Sequence, residues 1–139
     1  METKNLPQPY VFELPIKVRD YEVDVEGIVN NANYLHYLEH TRHEYCEQMG
    51  FSFSQMRLEG IDPVLSRAEI DYILPLRSGM TMLSRLWLER KGPRFIFHQD
   101  IFTTDERPVL RAVITVVSVR DGRLTRGDEI ARAFRLTDS

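Results

Sequence analysis

A single long helical pattern precedes a run of strands, and that imbalance limits what the chain can fold into. Tyr34, Leu38, Thr41, Tyr45 and Met49 recur four, three, four and four residues apart. That spacing puts them on one face of an α-helix. Leu35 and Tyr37 flank the stripe. Asn30 suits the N-cap, where a side-chain oxygen can accept from an orphan N–H of the first turn. Gly50 suits the C′ position, where left-handed backbone ends a helix. The pattern predicts a helix over 31–49, and Phe51 to Glu59 predict a short helical turn after it.

Strand signals surround this helix. Residues 10–19 (YVFELPIKVR) alternate apolar and polar, as a half-buried strand does, and Pro15 confines that strand to an edge. From residue 62 onward DPVLSRAEIDYI, MTMLSRLWLER, RFIFHQDIFTT and PVLRAVITVVSVR read as four further strands. Turns fall at Pro75 to Gly79, Lys91 to Pro93, Asp105 to Pro108 and Asp121-Gly122. The tail GDEIARAFR predicts a short terminal helix with Asp128 near its start. Strand, long helix, then four strands define an α+β chain with an antiparallel sheet. One sheet must cover its apolar face with one helix, so the economical solution is a sheet curled around it.

The 139 residues suit one domain with a real core, with residues 1–9 as a loose polar arm. No run of about 18 apolar residues marks a transmembrane span. The N-terminus lacks the basic-then-apolar order of a secretory signal. Cys46 is the single cysteine, so no internal disulfide can form. These features lead us to expect a cytoplasmic protein. The net charge of −3 gives no overall nucleic-acid footprint. Basic residues do gather at 85–94 and from Arg107 onward, which leaves room for a local anion site.

The chemistry concentrates in residues 19–45, RDYEVDVEGIVNNANYLHYLEHTRHEY. Asp24 sits in a loop just ahead of the helix, and Gly27 lets the chain turn and approach a ligand closely. A helix N-terminus presents unpaired N–H groups and partial positive charge. If the Asn30 side chain caps the first turn, the Asn31 N–H is left to bind an oxygen. A carboxylate beside a polarised carbonyl is the minimum for acyl transfer. It attacks the carbonyl or takes a proton from water. Asp20, Glu22 and Glu26 compete with Asp24, and Glu22 and Glu26 are expected to be exposed. Acidic residues ahead of a helix are also commonly solvated or capping.

The segment resembles the signature of the 4-hydroxybenzoyl-CoA thioesterase family of hotdog proteins: an Asp, two variable residues, Gly-Ile/Val-Val, then a helix with Tyr, an acidic residue and Arg. Here these are Asp24, Gly27, Ile28, Val29, Tyr34, Glu39 and Arg42. It is also similar to plant methylketone-synthase-type and alkylketoid acyl carrier protein (ACP) thioesterases, and the likeness runs on through the PLRSG turn at 75–79. The resemblance implies a hotdog fold, a five-stranded antiparallel sheet around one long helix. It implies a homodimer or homotetramer with sites shared across the interface. The substrate implied is an acyl-CoA or acyl-ACP thioester, with Asp24 as nucleophile or general base and no cofactor. The Asn31 N–H would polarise the carbonyl, with a second N–H near Gly60 or Ile61. Val29, Asn30 and Tyr34 would line the substrate site, and Arg90, Lys91 and Arg94 would meet coenzyme A phosphates. Those three residues also read as solvated turn charges. Many bacterial relatives carry His where this chain has Asn31, which removes one acid/base group. Glu39 pairs by spacing with Arg42 and His43. A helix Glu is the catalyst in some hotdog thioesterases outside this subgroup, but here a supporting role is favoured.

HYLEH at 36–40 matches the H-x-x-E-H zinc pattern, but the match falls inside the thioesterase signature, and no metal is expected. GFSFS is not a G-x-S-x-G elbow. Two alternatives stand beside the thioesterase. A hotdog dehydratase or hydratase would want a His ahead of the helix, which is missing. A non-catalytic acyl-CoA-binding module would have no need of Asp24. Neither a nucleic acid nor a membrane is expected as partner.

Overall fold

A computed structural model describes residues 6–136. The described chain runs β1 (Phe12–Lys17), a 3₁₀ turn (Asp20–Glu22), α1 (Asn31–Gln48), α2 (Phe53–Leu58), β2 (Asp62–Tyr72), β3 (Thr81–Lys91), β4 (Arg94–Thr103), β5 (Pro108–Arg120), β6 (Arg123–Leu124) and α3 (Asp128–Phe134). Five long strands pair antiparallel in the order β1-β3-β4-β5-β2, and the two-residue β6 adds to β5. Pro15 lies on edge strand β1, where its missing N–H costs no ladder bond. Most of the expected loose arm, residues 1–5, lies outside the described residues. Residues 7–10 form a turn, with the Tyr10 N–H donating to the Pro7 carbonyl at 3.0 Å.

Helix α1 begins where its sequence allows. The Asn30 side chain accepts from the Ala32 N–H at 2.9 Å, and Gly50 takes φ +89 past the last turn. Tyr34, Tyr37, Leu38, Thr41, Arg42, Tyr45 and Cys46 are buried against the concave face of the sheet. Opposite them lie Met82, Leu86, Phe97, Ile101, Ala112 and Ile114. One polar thread crosses this core. The fully buried Gln99 donates to the Leu38 carbonyl at 3.0 Å and accepts from Arg42 at 2.9 Å. Buried polar groups matched in this way fix the depth and rotation of the helix on the sheet.

The convex face carries a rung of alternating charge. Glu13, Arg85, Asp100, Arg111 and Asp71 stand directly opposite one another along β1-β3-β4-β5-β2. Arg85 bonds Glu13 at 2.9 Å, and Arg111 lies 3.5 Å from Asp100.

Candidate active site

The segment between β1 and α1 is a small hairpin with Asp24 at its tip. Val23 bridges Val29, the Asp24 N–H donates to the Ile28 carbonyl at 2.9 Å, and the Gly27 N–H donates to the Asp24 carbonyl at 2.9 Å. Gly27 closes the turn at φ +81, a left-handed conformation that side-chain-bearing residues resist. The Asp24 carboxylate accepts from the Glu26 N–H at 2.8 Å, which fixes one oxygen in the turn. The hairpin is sewn to the β2–β3 loop, since Ile28 bridges Arg77 and the Val29 N–H donates to the Leu76 carbonyl at 2.8 Å.

The hairpin delivers the chain straight into α1. Because the Asn30 side chain takes the Ala32 N–H, the Asn31 N–H meets no acceptor among the described residues. Asp24 and Asn31 are both exposed at this junction. Below it, Glu22 corrects the expectation of exposure, for it is buried at 7%. Its backbone carbonyl accepts from the Asn30 N–H at 3.2 Å and from the Asn33 side chain at 2.8 Å. Its carboxylate accepts from the Arg19 N–H at 2.8 Å and from the Arg19 guanidinium at 3.2 Å. Burial opposes the charge on Glu22, but the Arg19 bonds outweigh it and hold the carboxyl below its ordinary pKa. Desolvation, reinforced by that carboxylate, pushes the neighbouring Tyr37 phenol upward, although the Tyr37 hydroxyl meets no acceptor at full hydrogen-bond geometry. Asp20 is held by the Ser78 hydroxyl. Of the four acidic residues, Asp24 and Glu26 remain open to a ligand, and Asp24 is the one whose carboxylate the turn holds.

The other predicted site residues divide. Val29 and Tyr34 are each 3% exposed, and the Tyr34 hydroxyl accepts from the Leu76 N–H at 3.2 Å, so both are core anchors of the hairpin. Gly60 and Ile61 are the residues expected near a second donor. Their N–H groups donate to the Arg57 and Met56 carbonyls at 3.0 and 2.9 Å, closing the end of α2. Arg90 is one of the three expected phosphate contacts. It is buried at 6% and donates to the Gly92 and Arg126 carbonyls and, at 2.8 Å, to Asp128, which stitches the β3–β4 turn to α3. Lys91 and Arg94 are exposed, Lys91 lies 3.9 Å from Glu89, and Arg94 makes no ion pair among the described residues. Arg126, not anticipated, lines a cavity of about 350 Å³ beside them with Gly92, Pro93 and Leu124. Glu39 is exposed on α1 and lines a separate cavity with Arg42. His36 and His40 border a groove with Lys17 and Arg19, and among the described residues no three metal-ligating side chains converge.

Arg77 escaped the sequence reading. An added Cβ on Gly27 would sit 3.8 Å from its guanidinium, and Arg77 makes no ion pair among the described residues. It is a cation beside the Asp24 turn. Its position in the PLRSG turn was the available signal.

Residues 18–135 match the model of the thioesterase-like superfamily, and the chain belongs to that family. It is similar to a chloroplastic acyl-acyl carrier protein thioesterase of Arabidopsis thaliana, at 35% identity over 107 residues, 76% of this chain and 57% of that relative. The chain thus spans little more than half the length of that relative. It is also 24% identical over 110 residues to the acyl-CoA thioester hydrolase YbgC of Escherichia coli, covering 78% and 82% of the two chains. A crystal structure described as a hypothetical protein from Aquifex aeolicus superposes with a TM-score of 0.83 at 30% identity, over 88% of this chain and 98% of that one. The fold is the hotdog fold, the curled sheet and enclosed helix described above.

Proposed function

We propose that this chain is a thioesterase that hydrolyses an acyl thioester of coenzyme A or of an acyl carrier protein. The observation that carries the reading is the Asp24 turn held rigidly at the mouth of a helix whose Asn31 N–H is free. The thioester carbonyl accepts from the Asn31 N–H, where developing negative charge meets the positive end of the helix. Asp24 takes a proton from the attacking water, or attacks the carbonyl itself to give an anhydride that water opens. In either route the C–S bond breaks, and free acid and thiol leave. The phosphates of the carrier lie toward Lys91, Arg94 and Arg126. The named activities of the relatives support this reading.

The working unit in this reading is a homodimer or a homotetramer, assembled on the single domain. Among the described residues, strand β2 is paired on one side only and leaves Val64, Leu65 and Tyr72 exposed, with Ile73 just past its end. An unpaired apolar edge invites a second copy. Sedimentation equilibrium showing a monodisperse monomer would remove this part of the reading.

The primary test is hydrolysis of an acyl-CoA panel, from short aliphatic to aromatic, by wild type and Asp24→Asn. The expected result is turnover by wild type and a loss of about 10²–10⁴-fold in kcat for the variant, the usual weight of a general base. Equal activity in both would move the catalyst elsewhere, with Glu39 next. No hydrolysis of acyl-CoA or acyl-ACP would favour a non-catalytic acyl-binding module.

A further inference from the structure

Arg42 is a buried charge with no ion-pair partner among the described residues. It is 7% exposed, and its one hydrogen bond among the described residues goes to the neutral Gln99. No carboxylate lies within ion-pair distance among those residues. Desolvation drives its pKa down, with Glu39 opposing from outside contact range. A buried guanidinium without a counter-ion is strongly disfavoured, and its remaining donors want an acceptor. They open on a cavity of about 180 Å³ lined by Glu39, Arg42, His43, Phe53, Pro63 and Leu65.

That cavity lies at the Arg42 end of a line of residues between α1 and β2. Asn31, Leu35, Glu39 and Arg42 succeed one another at helical spacing on one face of α1. Strand β2 meets this line at its two ends. Its Tyr72 hydroxyl reaches the Asn31 carbonyl at 3.5 Å, and its Pro63 and Leu65 reach the cavity. Between them, Ile70 and Ala68 pair with the inward-facing Ala112 and Ile114 and so face the helix. Leu35 and Leu65 are 41% and 45% exposed along this line. This line, the α1–β2 seam, therefore starts at the candidate reaction centre, passes apolar side chains, and reaches the cavity at Arg42. The eleven helical steps from Asn31 to Arg42 rise about 16 Å. An extended chain gains about 3.5 Å per three bonds, so about fourteen bonds bridge that distance, close to the span from the thioester sulfur to the far carboxylate oxygen of a twelve-carbon dioic chain.

We propose that the α1–β2 seam holds the acyl chain and that Arg42 binds a carboxylate at its far end, making this chain selective for monothioesters of dicarboxylic acids. The proposal rests on the thioesterase reading and names its substrate class. The exposed Glu39 carboxylate on the rim is screened by water, whereas the buried Arg42 is not, so the cavity favours an anion. Arg42 is a specificity residue here and takes no part in bond breaking.

The test compares dodecanedioyl-mono-CoA with dodecanoyl-CoA, using wild type, Arg42→Met and Arg42→Lys. We expect wild-type kcat/KM to favour the dioic substrate at least tenfold. Arg42→Met should lower that ratio at least tenfold, and Arg42→Lys should keep part of it. Thermal melting identifies a variant that fails to fold. In that case wild-type inhibition by free dodecanedioate, tighter than by dodecanoate, decides the matter without a variant. A wild-type ratio near one overturns the proposal. So does an equal loss on both substrates, or an Arg42→Met that breaks a dimer with the ratio unchanged, since the counter-charge then comes from a second copy. If neither thioester is hydrolysed, the acyl-CoA panel and acyl-ACP substrates judge the thioesterase reading separately. The pocket is then judged by binding of dodecanedioate alone, sustained if saturable in wild type and lost in Arg42→Met, and overturned if wild type does not bind.

Discussion

Replacing Asn30 by alanine separates two jobs that one side chain performs. The substitution deletes the acceptor of the Ala32 N–H at 2.9 Å and leaves the Asn30 N–H bond to the Glu22 carbonyl in place. Loss of such a cap costs about 1 kcal/mol. For 139 residues the unfolding entropy is about 0.3 kcal/mol per kelvin. The expected fall in Tm is therefore about 3–4 °C, measured by calorimetry or circular dichroism. The second effect is on catalysis. A loosened first turn moves the Asn31 N–H away from the carbonyl, and small misplacements of this kind are costly, so kcat should fall about tenfold. Asn30→Ser keeps a short acceptor of similar capping strength and should recover most of both losses. Two results would refute the reasoning. If the serine variant falls as far as the alanine variant, the side-chain acceptor is not the source. If Tm falls while kcat stays unchanged, the start of the helix is structural only and the Asn31 N–H does not touch the substrate.

Two further expectations follow from titratable groups in the core. Glu22 has its carboxyl held below its ordinary value of 4.5, so its contribution is complete above that value and lost as pH falls through the lower folded value. Glu22→Gln should therefore give a flatter loss of stability in acid than wild type, read from denaturant midpoints between pH 6 and about 3; an identical pH slope would refute the assignment. Cys46 is 1% exposed, and desolvation pushes its thiol up to about 12, so native protein at pH 8 should resist iodoacetamide and label only on unfolding. Rapid labelling of the native state by mass spectrometry would contradict this.

The architecture was legible because its signals are periodic and local. The stripe from Tyr34 to Met49, the Asn30 cap and the Gly50 stop all lie within one stretch of chain, and α1 follows them to within a residue. The four strand runs after residue 62 became β2 to β5, and Pro15 marked an edge. The site was less legible because its decisive contacts join residues far apart in sequence. Arg90 reads as a turn cation, but its partner Asp128 comes from the terminal helix 38 residues on. Glu22 reads as one of a solvated acidic run, yet Asn33 and Tyr37 close over it from the helix. Gly60 and Ile61 are engaged by the end of α2, which a motif does not reveal. Arg42 was recognisable in principle, since it follows Leu38 by four residues and precedes Tyr45 by three on the buried side of the helix. A cation in an apolar stripe is a signal that periodicity alone discards.

The alternating-charge rung on the convex face bears on how the sheet finds its register. The inside-outside pattern of a strand has a period of two, so a slip by one residue turns every side chain to the wrong face. A slip by two residues passes that check unseen. Sliding β4 two places along β3 would still bury Phe97, Gln99 and Ile101, but Arg85 would face Phe102 or His98 in place of Asp100. Sliding β5 along β4 would likewise part Arg111 from Asp100. Hydrophobic patterning tells each strand which side to present, and the row from Glu13 to Asp71 tells the five strands how far along to stop.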